Sequence, residues 1–201
     1  QIPAAVEMIE YLHDLGYETT CNIMAISQIG ADNLREALEM LCETPVDIIY
    51  IVDSYGSLYP ENIEKYSKMY LEYANKSNKQ IGIHAHNNQN LAFANTIEAL
   101  SYGVSYLDST VQGMGRGAGN CASELLLGFL RNPKYSLYPL LTFIENYMVP
   151  LKESGVVWGY DLQYLFTGQL NRHPRSAIKF TNEKRKDYCD FYKDLLDDSV
   201  F

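Results

Sequence analysis

The strongest constraint on this chain is a repeated alternation of segment types along residues 3–130. Apolar runs rich in Val and Ile fall at 18–25, 47–52, 80–85 and 104–107, while helical periodicity fills 3–15, 31–42, 60–75, 90–101 and 120–130. Strands that alternate with helices in this way are parallel neighbours, because a parallel pair needs a long crossover and the helices cover the faces of the sheet. The expected class is α/β, with about four βα units. An open doubly wound sheet and a (β/α)8 barrel both accommodate the pattern, and both place chemistry at the C-terminal ends of strands. Three such ends carry reactive side chains: Asp53-Ser54, His84-x-His86 and Asp108-Ser109.

After Arg131 the pattern changes to helical segments at 138–152 and 161–170, punctuated by Tyr and Pro, and then to a charged tail at 182–198. This divides the chain into an αβ part, 1–131, and a C-terminal helical extension, 132–201. A complete (β/α)8 barrel takes about 250 residues, so a barrel reading makes the αβ part the C-terminal half of one. Gln1 stands where an initiator Met would, and the next residues already read as an amphipathic helix without signal-peptide character. The sequence therefore reads as a fragment.

Composition removes several function classes. Sixteen basic against 25 acidic residues leave a net charge of −9, with the acidic residues scattered, which argues against nucleic acid or an anionic membrane as the main partner. No apolar stretch approaches the roughly 20 residues that span a bilayer. The four cysteines stand far apart with no C-x-x-C pair, so neither a disulfide framework nor a structural zinc site is expected, and a reducing cytoplasm is the simplest compartment.

The densest segment is G-I-H-A-H-N-N-Q-N-L-A-F-A-N, residues 82–95. Residues i and i+2 of a strand point to one face, which sets the His84 and His86 imidazoles side by side, roughly 6 to 7 Å apart at Cα. Such a pair either converges on a metal ion or lines a polar mouth. Its position at a strand end, followed by Asn87 and Asn88, favours metal. The run G-M-G-R-G-A-G-N, residues 113–120, matches neither the dinucleotide fingerprint nor a P-loop. It reads either as a loop that lets backbone approach a ligand and delivers Asn120 to it, or as a tight turn with Asn120 as the N-cap of the next helix.

The stretch from His84 to Glu124, with H-A-H-N-N-Q-N, L-D-S-T-V-Q-G-M-G-R-G-A-G-N and C-A-S-E, closely resembles the C-terminal barrel half of a metal-dependent lyase and aldolase superfamily. That superfamily includes 4-hydroxy-2-oxovalerate aldolase, hydroxymethylglutaryl-CoA lyase and the isopropylmalate and homocitrate synthases. Upstream, C-N-I-M-A-I-S (21–27) and I-Y-I-V-D-S-Y-G (49–56) resemble the preceding strands of the 4-hydroxy-2-oxovalerate aldolase branch. A fainter echo lies in G-Y-D-L-Q-Y and L-N-R-H, within 159–173.

The resemblance implies a TIM (β/α)8 barrel and a divalent-metal-dependent carbon–carbon lyase that works next to a 2-oxo acid through a pyruvate enolate, releasing or adding an aldehyde. It implies His84 and His86 as metal ligands, Ser54 as a contact to the keto acid, Asn120 as a further ligand by analogy with the lyase branch, and Tyr160 or Tyr164 as the tyrosine that closes the aldolase site. Mn²⁺ is the expected ion, with Mg²⁺, Co²⁺ or Zn²⁺ as alternatives. A homo-oligomer is expected, as is an aldehyde dehydrogenase partner such as accompanies some of these aldolases.

The family's first-strand Asp-bearing motif, which supplies a further metal ligand, an enolate-stabilising Arg and often a base, does not occur in this sequence. This polypeptide alone is therefore expected to lack full activity. Two other functions stay open: a Claisen condensation of an acyl-CoA as in the isopropylmalate synthase branch, and a non-catalytic metal-binding barrel. Asp53 and Asp108 are expected to hold loop amides or orient ligands rather than to bind metal. His13 reads as a solvated helix residue, and His173 as part of a surface turn or an approach to the site from the extension.

Overall fold

The computed structural model of the protein describes residues 2–197. Gln1 and the end of the predicted extension, 198–201, lie outside the described residues. Helix α1 (Ile2–Asp14) leads into four strands: β1 (Thr20–Ile23), β2 (Ile48–Asp53), β3 (Gln80–Ala85) and β4 (Tyr106–Leu107). They form one sheet in the order β1-β2-β3-β4, with β1 parallel to β2 and β3 parallel to β4. Helices α2 (Ala31–Cys42), α3 (Pro60–Ser77) and α4 (Ala92–Ser101) make the crossovers. A doubly wound sheet reverses its strand order at a switch point, whereas a barrel adds each strand beside the last. The sequential order selects the barrel, and the chain is a partial TIM barrel followed by helices.

The chain divides into two compact units. The first contains the residues up to Ser54, Leu58–His84 and Ala94–Asp108. In it, strand alternation sorts the sheet's residues into two faces. Cys21, Ile23, Ile49, Ile51, Ile81 and Ile83 are buried on one, where α3 packs on β2 and on α2, and α2 contributes the buried Leu34, Leu38 and Leu41. The other face carries Ile48, Tyr50 and Val52 with Tyr106 against them, and Gly82, His84 and Asp108 share its alternation. Helix α3 begins where Asn62 Oδ1 accepts the Tyr59 N–H at 2.9 Å and Pro60 opens the first turn, and it stops at Asn78 in the left-handed conformation.

The second unit contains Tyr55–Ser57, Ala85–Phe93 and the chain from Ser109 onward. Its described elements are helices: α5 (Ser123–Leu130), α6 (Leu137–Phe143), a π-helical turn at Ile144–Met148 that runs into α7 (Val149–Glu153), α8 (Leu162–Gln169), α9 (Arg175–Asn182) and α10 (Tyr188–Asp197). The segment expected as a charged tail, 182–198, is largely helix α10, and α9 ends at the first residue of that segment. Their apolar positions, Ala177, Phe180, Phe191 and Leu195, are few but spaced by three or four, so each helix buries one narrow stripe. These residues form a core with Ala118 and Tyr164. Among the described residues no helix is long and apolar enough to cross a membrane.

Candidate metal centre

In the first unit the ends of β2, β3 and β4 bring four polar side chains into place. The Gly82↔Tyr106 and Ile83↔Leu107 pairs set the register of β3 and β4, and the Asp108 N–H continues it by donating to the Ile83 carbonyl at 3.0 Å. This places His84 Nδ1 3.0 Å from Asp108 Oδ2. A carboxylate at Nδ1 favours the tautomer with the proton there, so Nε2 carries the lone pair that a metal needs. The Tyr50 hydroxyl also bonds Asp108. Burial first, and then the Asp108 charge and hydrogen bond, push the Tyr50 phenol up to about 12. Asp53 is buried, and its Oδ2 accepts the Leu58 N–H at 3.1 Å. Ser54, also buried, accepts the Ala25 N–H at Oγ (2.7 Å), which leaves its own hydroxyl proton to donate elsewhere.

In the second unit His86 and Asn120 form an antiparallel bridge, and the Asn87 N–H donates to the Gly119 carbonyl at 2.8 Å. The glycine-rich loop folds back on itself so that the Asn120 N–H reaches the Gly113 carbonyl at 3.0 Å. Gly119 has φ +81, and a Cβ there would run into the Gly113 oxygen, so only glycine fits this return. Asn120 Nδ2 donates to the Met114 carbonyl at 3.0 Å, which fixes the orientation of the amide. Its Oδ1 is buried and has no hydrogen-bond partner among the described residues.

The helix expected over 120–130 begins only at Ser123, because residues 120–122 are held extended by the His86 bridge and a second bridge between Thr110 and Ala122. Asn120 is therefore not a helix cap. Two loop supports escaped the sequence reading. Gln112, left-handed at φ 52, donates its N–H to Glu124 Oε2 at 2.9 Å, and its carbonyl accepts from Trp158 Nε1 at 2.9 Å. The chain's single Trp was the one available signal.

The two tyrosines offered for closing the site differ. Tyr164 is 8% exposed, packs in the helical core and turns its hydroxyl to Thr181 Oγ1 at 3.4 Å, whereas Tyr160 is 52% exposed. His173 stands edge-on to Tyr55 with centroids 5.3 Å apart, and its Nδ1 accepts the Arg175 N–H at 3.1 Å. Burial, with the Arg175 and Arg116 charges, lowers its pKa. His13 lies exposed in the last turn of α1.

Among the described residues no three His, Cys, Asp or Glu side chains gather into a metal-binding group. The donor set read from the sequence contains only two residues of those types, His84 and His86, with the amide of Asn120 as the third. An orphaned buried oxygen on Asn120, bridged through the backbone to His86, is what such a set requires, since a buried acceptor left unpaired costs about 1–3 kcal/mol. The His86 imidazole and Asn120 Oδ1, both in the second unit, are donor types that a divalent ion takes.

Residues 2–139 match the HMGL-like family. A 4-hydroxy-2-oxovalerate aldolase of Bacillus thuringiensis is 27% identical over 192 residues, which cover 90% of this chain and 55% of that protein. A 4-hydroxy-2-oxovalerate aldolase of Thermus thermophilus is 33% identical over 142 residues, covering 69% and 40% respectively. The solved N-terminal domain of a Bacteroides vulgatus protein named as a candidate aldolase superposes with a TM-score of 0.77 at 27% identity, over 90% of this chain and 60% of that one. The chain spans about half the length of the curated relatives it matches. With more than half of its residues inside the matched region, the chain belongs to the HMGL-like family.

Proposed function

We propose that the chain carries the metal-binding part of a divalent-metal-dependent aldolase that cleaves or forms a carbon–carbon bond next to a 2-oxo acid, in the manner of a 4-hydroxy-2-oxovalerate aldolase. The observation that carries this reading is the buried, unpartnered Oδ1 of Asn120 on the segment bridged to His86. His84, His86 and Asn120 would hold the ion. Two imidazoles and a neutral oxygen suit Mn²⁺, Co²⁺ or Zn²⁺ better than Mg²⁺, which prefers carboxylates and water.

When bound, the ion supplies Lewis acidity, drawing electron density from the ketone of a 2-oxo acid. The chain's own residues do the rest. Asp108 holds His84 as the Nδ1–H tautomer. Ser54, whose oxygen is already engaged by the Ala25 amide, directs its proton toward the keto acid's carboxylate. Tyr160, exposed beside the N-cap of α8, is the tyrosine we assign to cover the aldehyde end, because the hydroxyl of Tyr164 is committed to the helical core.

Calorimetric titration of Mn²⁺ into the full chain and into a His84→Ala, His86→Ala double variant tests the reading. About one ion bound by the wild type, none by the variant, and tighter binding when oxalate is added are the expected results. Release of pyruvate from 4-hydroxy-2-oxovalerate without any CoA then separates the aldolase from a Claisen condensation. Equal Mn²⁺ binding by both proteins would sink the assignment.

A further inference from the structure

Tyr50 was not among the residues that the sequence singled out, yet it reaches the site across a whole strand. It sits on β2 with its partners Ile48 and Val52, 8% exposed. Its ring lies directly over Gly82 of the neighbouring β3, so closely that a Cβ on residue 82 would occupy the ring's own position. With no side chain in the way, the phenol passes over β3 and bonds Asp108, just beyond β4. Asp108 also bonds His84 Nδ1, and His84 lies two residues beyond Gly82 on the strand that the ring has crossed. Three adjacent strands are thereby tied through one carboxylate. A carboxylate held by one donor alone can rotate about its side-chain bonds, whereas a second donor fixes the oxygen presented to the imidazole.

We propose that Tyr50 is a positioning residue: by fixing Asp108 it holds His84 in the Nδ1–H tautomer and presents Nε2 for ligation. The consequence for ligation rests on the metal reading above, but the hold on the imidazole does not. The Gly82–Tyr50 pair is part of the same device, since any larger residue at 82 displaces the ring. Partners that orient a ligating histidine through its second nitrogen are worth on the order of 10–100-fold in metal affinity. Tyr50 acts one bond further out, so about tenfold is expected.

The test uses Tyr50→Phe, which keeps the ring and removes only the hydroxyl. In metal-free, ¹⁵N-histidine-labelled full chain, a two-bond ¹H–¹⁵N spectrum reports the tautomer of each of the four histidines, with His84 assigned by loss of its signals in His84→Gln. The wild type should show His84 as a single Nδ1–H tautomer, and Tyr50→Phe a mixture, with unchanged far-UV circular dichroism and about tenfold weaker Mn²⁺ binding. Should the Phe variant fail to fold, Asp108→Asn is measured in the same two ways, with the same mixture and a larger loss of affinity expected. An unchanged tautomer overturns the proposal, and so does a shifted tautomer with unchanged Mn²⁺ affinity. If the wild type binds no Mn²⁺, the metal reading fails, and the spectrum alone decides whether Tyr50 holds His84.

Discussion

His84 Nδ1 and Asp108 Oδ2 are 3.0 Å apart, a contact between consecutive parallel strand ends rather than between sequence neighbours. The carboxylate favours the proton on Nδ1, so Nε2 is the nitrogen that carries the lone pair. Asp108→Asn keeps the shape and removes the charge. Mn²⁺ affinity measured by calorimetry should fall on the order of 10–100-fold with the stoichiometry unchanged.

Asn120→Ala removes an orphaned oxygen together with the Nδ2 bond to Met114. The two effects oppose each other in the metal-free protein: losing a hydrogen bond costs about 1 kcal/mol, while an unpaired buried acceptor is itself a penalty of about that size. Urea denaturation without metal should therefore show little change. The stabilisation that Mn²⁺ confers on the wild type should be largely lost. A variant as strongly stabilised by Mn²⁺ as the wild type would exclude Asn120 as a ligand.

Gly119→Ala combines a left-handed φ of +81 with a Cβ placed against the Gly113 oxygen. Left-handed strain in a non-glycine residue costs on the order of 1–3 kcal/mol, and the backbone clash adds to it. A loss of at least about 1 kcal/mol in the unfolding free energy is expected. Mn²⁺ binding should weaken as well, because the same return delivers Asn120.

Tyr50 predicts a feature at alkaline pH. Its folded-state pKa is raised to about 12 by burial and by Asp108, above the roughly 10 of an unfolded tyrosine. A group raised in this way contributes stability that is complete below pH about 10 and is lost as the pH rises through about 12. Stability should therefore fall across that window, and Tyr50→Phe should show a shallower fall. An ultraviolet difference titration of the two proteins should place the missing tyrosinate near the upper end of the window.

The alternation of apolar runs and helical segments made the α/β class legible, because strand and helix periods are properties of the chain written residue by residue. H-A-H at the end of one run and D-S at the ends of two others could be found in the same way, since strand ends follow from the runs themselves. Which of the two α/β architectures the chain adopts depends on which strands pair, and only the order β1-β2-β3-β4 decided that. Helices α9 and α10 were obscured because a stripe of four buried apolar residues is outweighed in any window by the charges around it. The roles of Tyr50, Gln112 and Glu124 were illegible for a related reason. Tyr50 matters because residue 82 on another strand lacks a side chain and Asp108 on a third offers an acceptor, and Gln112 because Glu124 and Trp158 hold it from two other segments. The linear sequence determined which residues could do chemistry at the strand ends. Tertiary structure alone decided their partners, because hydrogen bonds and steric fit act between segments that only folding brings within a few ångströms of each other.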